Sequence, residues 1–162
     1  MKALNLLIVA MLMSTLSFAQ LIDKVIGINQ NGVFKITADI TELKGILEAQ
    51  LNREGNTTIL YKIAIKKDTI DGSGGKVYYT IAAQNKIGNI KIAVDISLKD
   101  SVFTARFSKS IKAFSSYAMC FGGCINGCSP KKSVDDRGNI FWKCTDCPGR
   151  DDACKKSVTT NL

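Results

Sequence analysis

From residue 57 to residue 108 the chain alternates apolar and polar side chains through four consecutive runs joined by short turns, and that pattern limits what it can build. In the first run Ile59, Tyr61, Ile63 and Ile65 fall on one face and Lys62, Lys66 and Asp68 on the other, the period of two that marks a half-buried strand. Asp71-Gly72-Ser73-Gly74-Gly75 supplies a turn, and Val77, Tyr79, Ile81 and Ala83 resume the alternation. Asn85-Lys86-Ile87-Gly88 leads into a third run with Ile90, Ile92, Val94, Ile96 and Leu98 on one side. Lys99-Asp100 is the expected link to a fourth, where Phe103, Ala105 and Phe107 oppose Thr104 and Arg106. Connections this short leave no room for crossover helices, so neighbouring strands must pair antiparallel. Such a meander has a dry face that needs a cover. Its outer residues, Lys62, Lys66, Asp68, Lys91, Asp95 and Ser97, read as an ordinary solvated surface.

The cover is expected from a helix just upstream. Asp39 followed by Glu42 forms a capping box, Ile40, Leu43, Ile46, Leu47 and Leu51 make a stripe at helical spacing, and Gly55 is a suitable stop. Before it, residues 25–28 and 33–37 flank Asn29-Gln30-Asn31-Gly32 and predict a leading hairpin or an irregular arm. Residues 110–119 read as a short helix or a fifth strand. The expected fold is α+β over residues 20–117, one helix packed on a four- to five-stranded antiparallel meander. Over residues 40–108 this order of elements resembles that of cystatin-like domains. The resemblance is one of topology and implies no functional residue: the Gln-x-Val-x-Gly wedge and the later Pro-Trp pair of cystatin inhibitors have no counterpart in the loops at Asp71 to Gly75 and Asn85 to Gly88.

Lys2, an apolar stretch over residues 6–16, and Ser17-Phe18-Ala19 ahead of Gln20 have the layout of a signal peptide, so residues 1–19 are expected to be removed from a secreted or periplasmic protein. The stretch falls short of the roughly 20 residues that span a bilayer. The 22 basic and 14 acidic residues, a net charge of +8, are spread along the chain. That distribution favours loose attraction to anionic surfaces over nucleic-acid recognition, for which no reader motif is present. The expected partner is an extracellular protein or an anionic surface.

Composition changes sharply near residue 118. Cys120, Cys124, Cys128, Cys144, Cys147 and Cys154 hold all the sulfhydryl chemistry of the chain, among glycines and prolines. Residues 118–162 therefore read as a small disulfide-rich module, since so short a segment buries too little surface to hold itself. Six cysteines permit 15 pairings. Cys124, Cys128, Cys144 and Cys147 have an approximate zinc spacing, and Cys144-Thr145-Asp146-Cys147 the spacing of a redox pair, but an oxidising compartment favours disulfides over both.

The absence of histidine removes the usual general base of hydrolases and the commonest metal ligand. Asp135-Asp136 and Asp151-Asp152 read as solvated turn residues, Asn56-Thr57-Thr58 is a formal glycosylation acceptor, and no cofactor or metal is expected. The functional expectation is a non-catalytic binding protein whose contact surface is the cysteine-rich module, with Phe121, Ile125, Phe141 and Trp142 as apolar anchors. A module too small to bury these side chains must expose some of them, although Trp142 also suits a miniature core over a disulfide. An extracellular protease inhibitor and a precursor of a basic cysteine-rich toxin or antimicrobial peptide are the alternatives.

Overall fold

A computed structural model describes residues 20–122, 128–147 and 154–160; the segment read as a signal peptide lies outside it. A leading hairpin comes first, β1 (Leu21–Gln30) and β2 (Val33–Ile36), closed by a two-residue turn in which Asn31 and Gly32 both take positive φ, 50° and 87°. Helix α1 (Ile40–Arg53) comes next, with the Asp39 carboxylate accepting from the Glu42 backbone N–H at 2.9 Å. Then come β3 (Leu60–Thr69), β4 (Val77–Asn85), β5 (Ile90–Lys99), β6 (Val102–Ser108), β7 (Ala113–Phe114) and β8 (Ser116–Gly122). A hairpin of β9 (Pro130–Val134) and β10 (Ile140–Cys144) and a last strand β11 (Cys154–Thr160) complete the described chain. Among the described residues no helix is long and apolar enough to cross a membrane.

The strands β3 to β6 pair antiparallel in sequence, with the β5–β6 turn at Asp100-Ser101, one residue later than the spacing suggests. Beyond that, the expected fold is overturned. Among the described residues a single helix lies against a nine-stranded antiparallel sheet, not a four- to five-stranded meander, and the described chain is mostly β. Strand β5 explains the difference. One of its edges takes β4, while the other is shared: Ile90 to Val94 pair with β8 and Ser97 to Lys99 with β6. The sheet therefore forks, one arm running β6–β1–β2 and the other β8–β11. It also curls until β2 comes back beside β3, and Phe34 of β2 meets Tyr79 of β4 edge-on at 5.8 Å. The cystatin-like likeness over residues 40–108 thus ends at the order of the elements.

Two bulges set which side chains enter the curl. In β1 the register to β6 shifts between Val25 and Gly27, leaving Ile26 fully buried and Val25 exposed. In β3 it shifts between Leu60 and Lys62. Leu60 is consequently buried, while Ile59 and Tyr61, expected on the dry face, stand 78% and 73% exposed. Gly27 is required where β1 touches its neighbours, since a Cβ there would collide with the Lys35 carbonyl oxygen and lie 2.8 Å from Ile65 Cδ1.

The core fills the concave side. Leu43, Leu47 and Leu51 of α1 are wholly buried against Ile81, Ile92, Val94, Phe103 and Phe114. At about 2 kcal/mol each, these three leucines hold a 14-residue helix that is marginal on its own. Gln50, also fully buried, donates to the Phe114 carbonyl oxygen at 3.3 Å and accepts from the Phe114 N–H at 3.4 Å, tying α1 to β7.

Two strands of the cysteine-rich tail, β8 and β11, belong to this sheet, while β9 and β10 pair with each other in a separate two-stranded one. Strand β8 begins at Ser116 and runs across the expected boundary between Tyr117 and Ala118, and β11 pairs with β8 along its whole length.

Candidate functional site

The β9–β10 hairpin lies on the outer face of the sheet, where Trp142, 3% exposed, forms a second small core with Ile70, Tyr78, Ala93 and Ala118. The indole meets the Tyr78 ring edge-on with centroids 6.0 Å apart. The Lys132 ammonium stands over both rings, 5.1 Å from the Trp142 centroid and 5.4 Å from that of Tyr78, and pairs with Asp95 at 2.6 Å. Asp71, in the β3–β4 loop, holds the hairpin's other lysines. Its carboxylate meets Lys131 at 2.7 Å and Lys143 at 3.0 Å, its N–H donates to the Lys132 carbonyl oxygen, and its own carbonyl oxygen accepts from the Val134 N–H. The bonds to Lys131 and Lys143 hold the Asp71 carboxyl below its ordinary 3.8.

The hairpin is stapled as well as docked. Cys120 bonds Cys144, joining β8 to β10, and Cys128 bonds Cys154, with Cα separations of 5.7 and 5.9 Å. Cys147 is disulfide-bonded too, and no described cysteine is free. Cys124 lies outside the described residues. With Cys144 joined to Cys120, the four-thiolate zinc set containing Cys144 and the Cys144/Cys147 redox pair are not assembled. The sulfurs of Cys128, Cys147 and Cys154 do approach within 4.8 Å of one another, but as disulfide sulfurs, which lack the thiolate a metal needs.

Beside the hairpin the outer face is left as a trough of about 290 Å³. Cross-strand register builds it. Ala64 pairs with Ala82, Ala82 with Ala93, and Ala93 with Ala118, a row of four alanines across β3, β4, β5 and β8. Trp142 covers the Ala93–Ala118 end, and Ala64 and Ala82 floor the open remainder. The row Lys62–Gln84–Lys91 makes one wall and Lys66–Thr80 the other, while Ser129 and Pro130 close the end next to the hairpin. Four lysines and one carboxylate, Asp68, line the trough. The Lys91 ammonium donates to the Ser129 hydroxyl at 2.9 Å; burial, and then the nearby charge of Lys66, pull its pKa below the ordinary 10.5. Far from being an ordinary solvated face, the outer side of the sheet is half covered by the hairpin and half shaped into a basic recess.

The expected anchors are thereby separated. Trp142 is spent on packing, and Phe121 is half-buried in β8 beside Ile90. Phe141 remains 40% exposed with the Lys156 ammonium 6.0 Å from its ring, and Ile125 lies outside the described residues. Asp135 accepts from the Asn139 side chain and from the Arg137 and Asn139 backbones, which makes it a turn residue of the β9–β10 hairpin. Sequence reasoning missed Lys62, Lys66 and Lys91 as a group because each alone is an outward lysine on a strand; the signal that could have found them was the coincidence of outward alanines, Ala64, Ala82 and Ala93, between them. Comparison with protein-family models, curated proteins and solved structures finds no match.

Proposed function

We propose that this is an exported, non-catalytic binding protein that receives an anionic group in the trough between β3–β5 and the stapled hairpin. The observation that carries the reading is the convergence of Lys62, Lys66 and Lys91 on a recess floored by alanines and closed at one end by Ser129 and Pro130. Alanine leaves room for a ligand where larger side chains would fill the space, and the docked hairpin keeps water from one side, which strengthens charge pairing. An anion there also relieves the repulsion between Lys66 and Lys91. The volume suits one phosphate-, sulfate- or carboxylate-bearing group. Disulfides on the described chain accord with an oxidising compartment and so with export. Release of residues 118–162 as a peptide would divide β8 and strip β11 from the sheet, which counts against a precursor role.

Calorimetric titration with glycerol phosphate tests this. Saturable binding is expected to weaken by about tenfold or more in a Lys62→Glu/Lys66→Glu double variant whose thermal transition matches the parent. Absence of binding to the parent, or equal binding by the two proteins, refutes it.

A further inference from the structure

The most exposed large apolar side chains of the described chain gather at one end of the sheet. Ile59 and Ile87 are each 78% exposed and Tyr61 73%. Leu60 pairs with Asn85, which places residues 59–61 beside the 85–88 turn carrying Ile87. Their exposure is built in. The β3 bulge turns Tyr61 away from the core that Leu60 enters, and Asn85 shapes the turn, its side-chain oxygen accepting from the N–H groups of Gly88 at 2.8 Å and Ile90 at 3.3 Å. Charge around this tip is mainly positive, the one carboxylate there being that of half-buried Glu48, which accepts from the Leu60 N–H at 2.8 Å. Exposed Lys62 and Lys86 flank it, and the Lys62–Gln84–Lys91 wall of the trough is the next row along the strands. Asp68, the carboxylate of the trough, lies six residues beyond Lys62, about 20 Å along β3.

We propose that this tip docks on an anionic phospholipid surface. Exposed apolar side chains at a strand end and its neighbouring turn, flanked by two lysines, match the interfacial layer of a bilayer, where apolar groups leave water and ammonium groups meet headgroup phosphates. Ile59, Ile87 and Tyr61 enter that layer, the tyrosine with its hydroxyl at headgroup depth. Lys62 and Lys86 contact phosphates, each adding about fivefold to affinity near an anionic surface. The trough behind them opens one row away and receives a single headgroup. That last step rests on the anion-binding reading of the trough; the tip itself does not.

Co-sedimentation with vesicles of phosphatidylcholine alone and of an equimolar mixture with phosphatidylglycerol tests the proposal. The parent is expected to pellet with the mixed vesicles and not with the neutral ones, and an Ile59→Ser/Tyr61→Ser/Ile87→Ser variant to lose about tenfold or more of that binding. All three side chains are exposed, so the variant should keep the parent's thermal transition and its calorimetric binding of glycerol phosphate. A parent that ignores mixed vesicles, or a triple variant that binds them equally, overturns the membrane reading, and glycerol phosphate binding then shows whether the trough reading survives. A parent that binds mixed vesicles but not glycerol phosphate supports the tip and overturns the headgroup step.

Discussion

Trp142→Ala puts a number on the docking of the hairpin. A tryptophan side chain removes about 200 Å² from water, so its near-complete burial contributes at most about 5 kcal/mol at 25 cal/mol per Å². The edge contact with Tyr78 and the Lys132 ammonium over the ring add about 1 kcal/mol each. Partial collapse of Ile70, Tyr78 and Val134 into the space returns some of this, leaving an expected loss of about 3–5 kcal/mol. Phe141→Ala is the internal control. It is the next residue on the same strand, 40% exposed, and should cost less than about 1 kcal/mol. Guanidinium unfolding monitored by circular dichroism, with the disulfides intact, measures both. A Trp142→Ala protein within about 1 kcal/mol of the parent, or equal losses from the two variants, would show that the hairpin is held by its cystines alone.

Gly27→Ala is expected to destabilise by about 1–3 kcal/mol, because neither the Lys35 backbone nor Ile65 can withdraw without disturbing β2 or the core; an unchanged denaturation midpoint would contradict the close approach. Asp71 makes stability depend on pH with a definite sign. Its folded pKa is depressed by Lys131 and Lys143, so its contribution is present above 3.8 and is lost as pH falls through the folded value. Lys131, raised by the same pair, contributes stability that is present below 10.5 and lost as pH climbs through its folded value. Asp71→Asn should flatten both limbs of a stability-versus-pH curve, with Asp135 retaining part of the acid limb; a curve superimposable on the parent's would refute the clamp. Peptide mapping without reduction should find Cys120 joined to Cys144 and Cys128 to Cys154, and alkylation of the unreduced protein should label no described cysteine; any other partner for these four contradicts the stapled arrangement.

The concave side of the sheet was legible in the sequence because alternation there is uninterrupted: Ile92, Val94 and Ile96, and Phe103, Ala105 and Phe107, all reach the core their spacing implies. The helix was legible from its cap and leucine stripe. Bulges were not, since one extra residue swaps the inward and outward positions along a strand without altering composition, and so Ile59 and Tyr61 exchanged places with Leu60. The breadth of the sheet was hidden for another reason. Pairing of β8 to half of β5 is a long-range choice that neither turn length nor local pattern encodes, and the cysteines drew a compositional boundary in the middle of a strand. Site residues suffered from the same limit. Lys62, Lys66 and Lys91 become a cluster only through registers joining three strands, and Trp142 loses its role as an exposed anchor only once Ala93 and Ala118 are seen beneath it.

The position of a bound anion is decisive for the trough. Amide chemical-shift mapping of the labelled protein during titration with glycerol phosphate locates it directly. Saturable shifts are expected to concentrate at residues 62–66, 80–84 and 91–93 and at Ser129, the walls and closed end of the trough. Shifts spread instead over lysines remote from it, such as Lys35, Lys99 and Lys109, or no saturable shift at all, would contradict the assignment of the trough as the binding site.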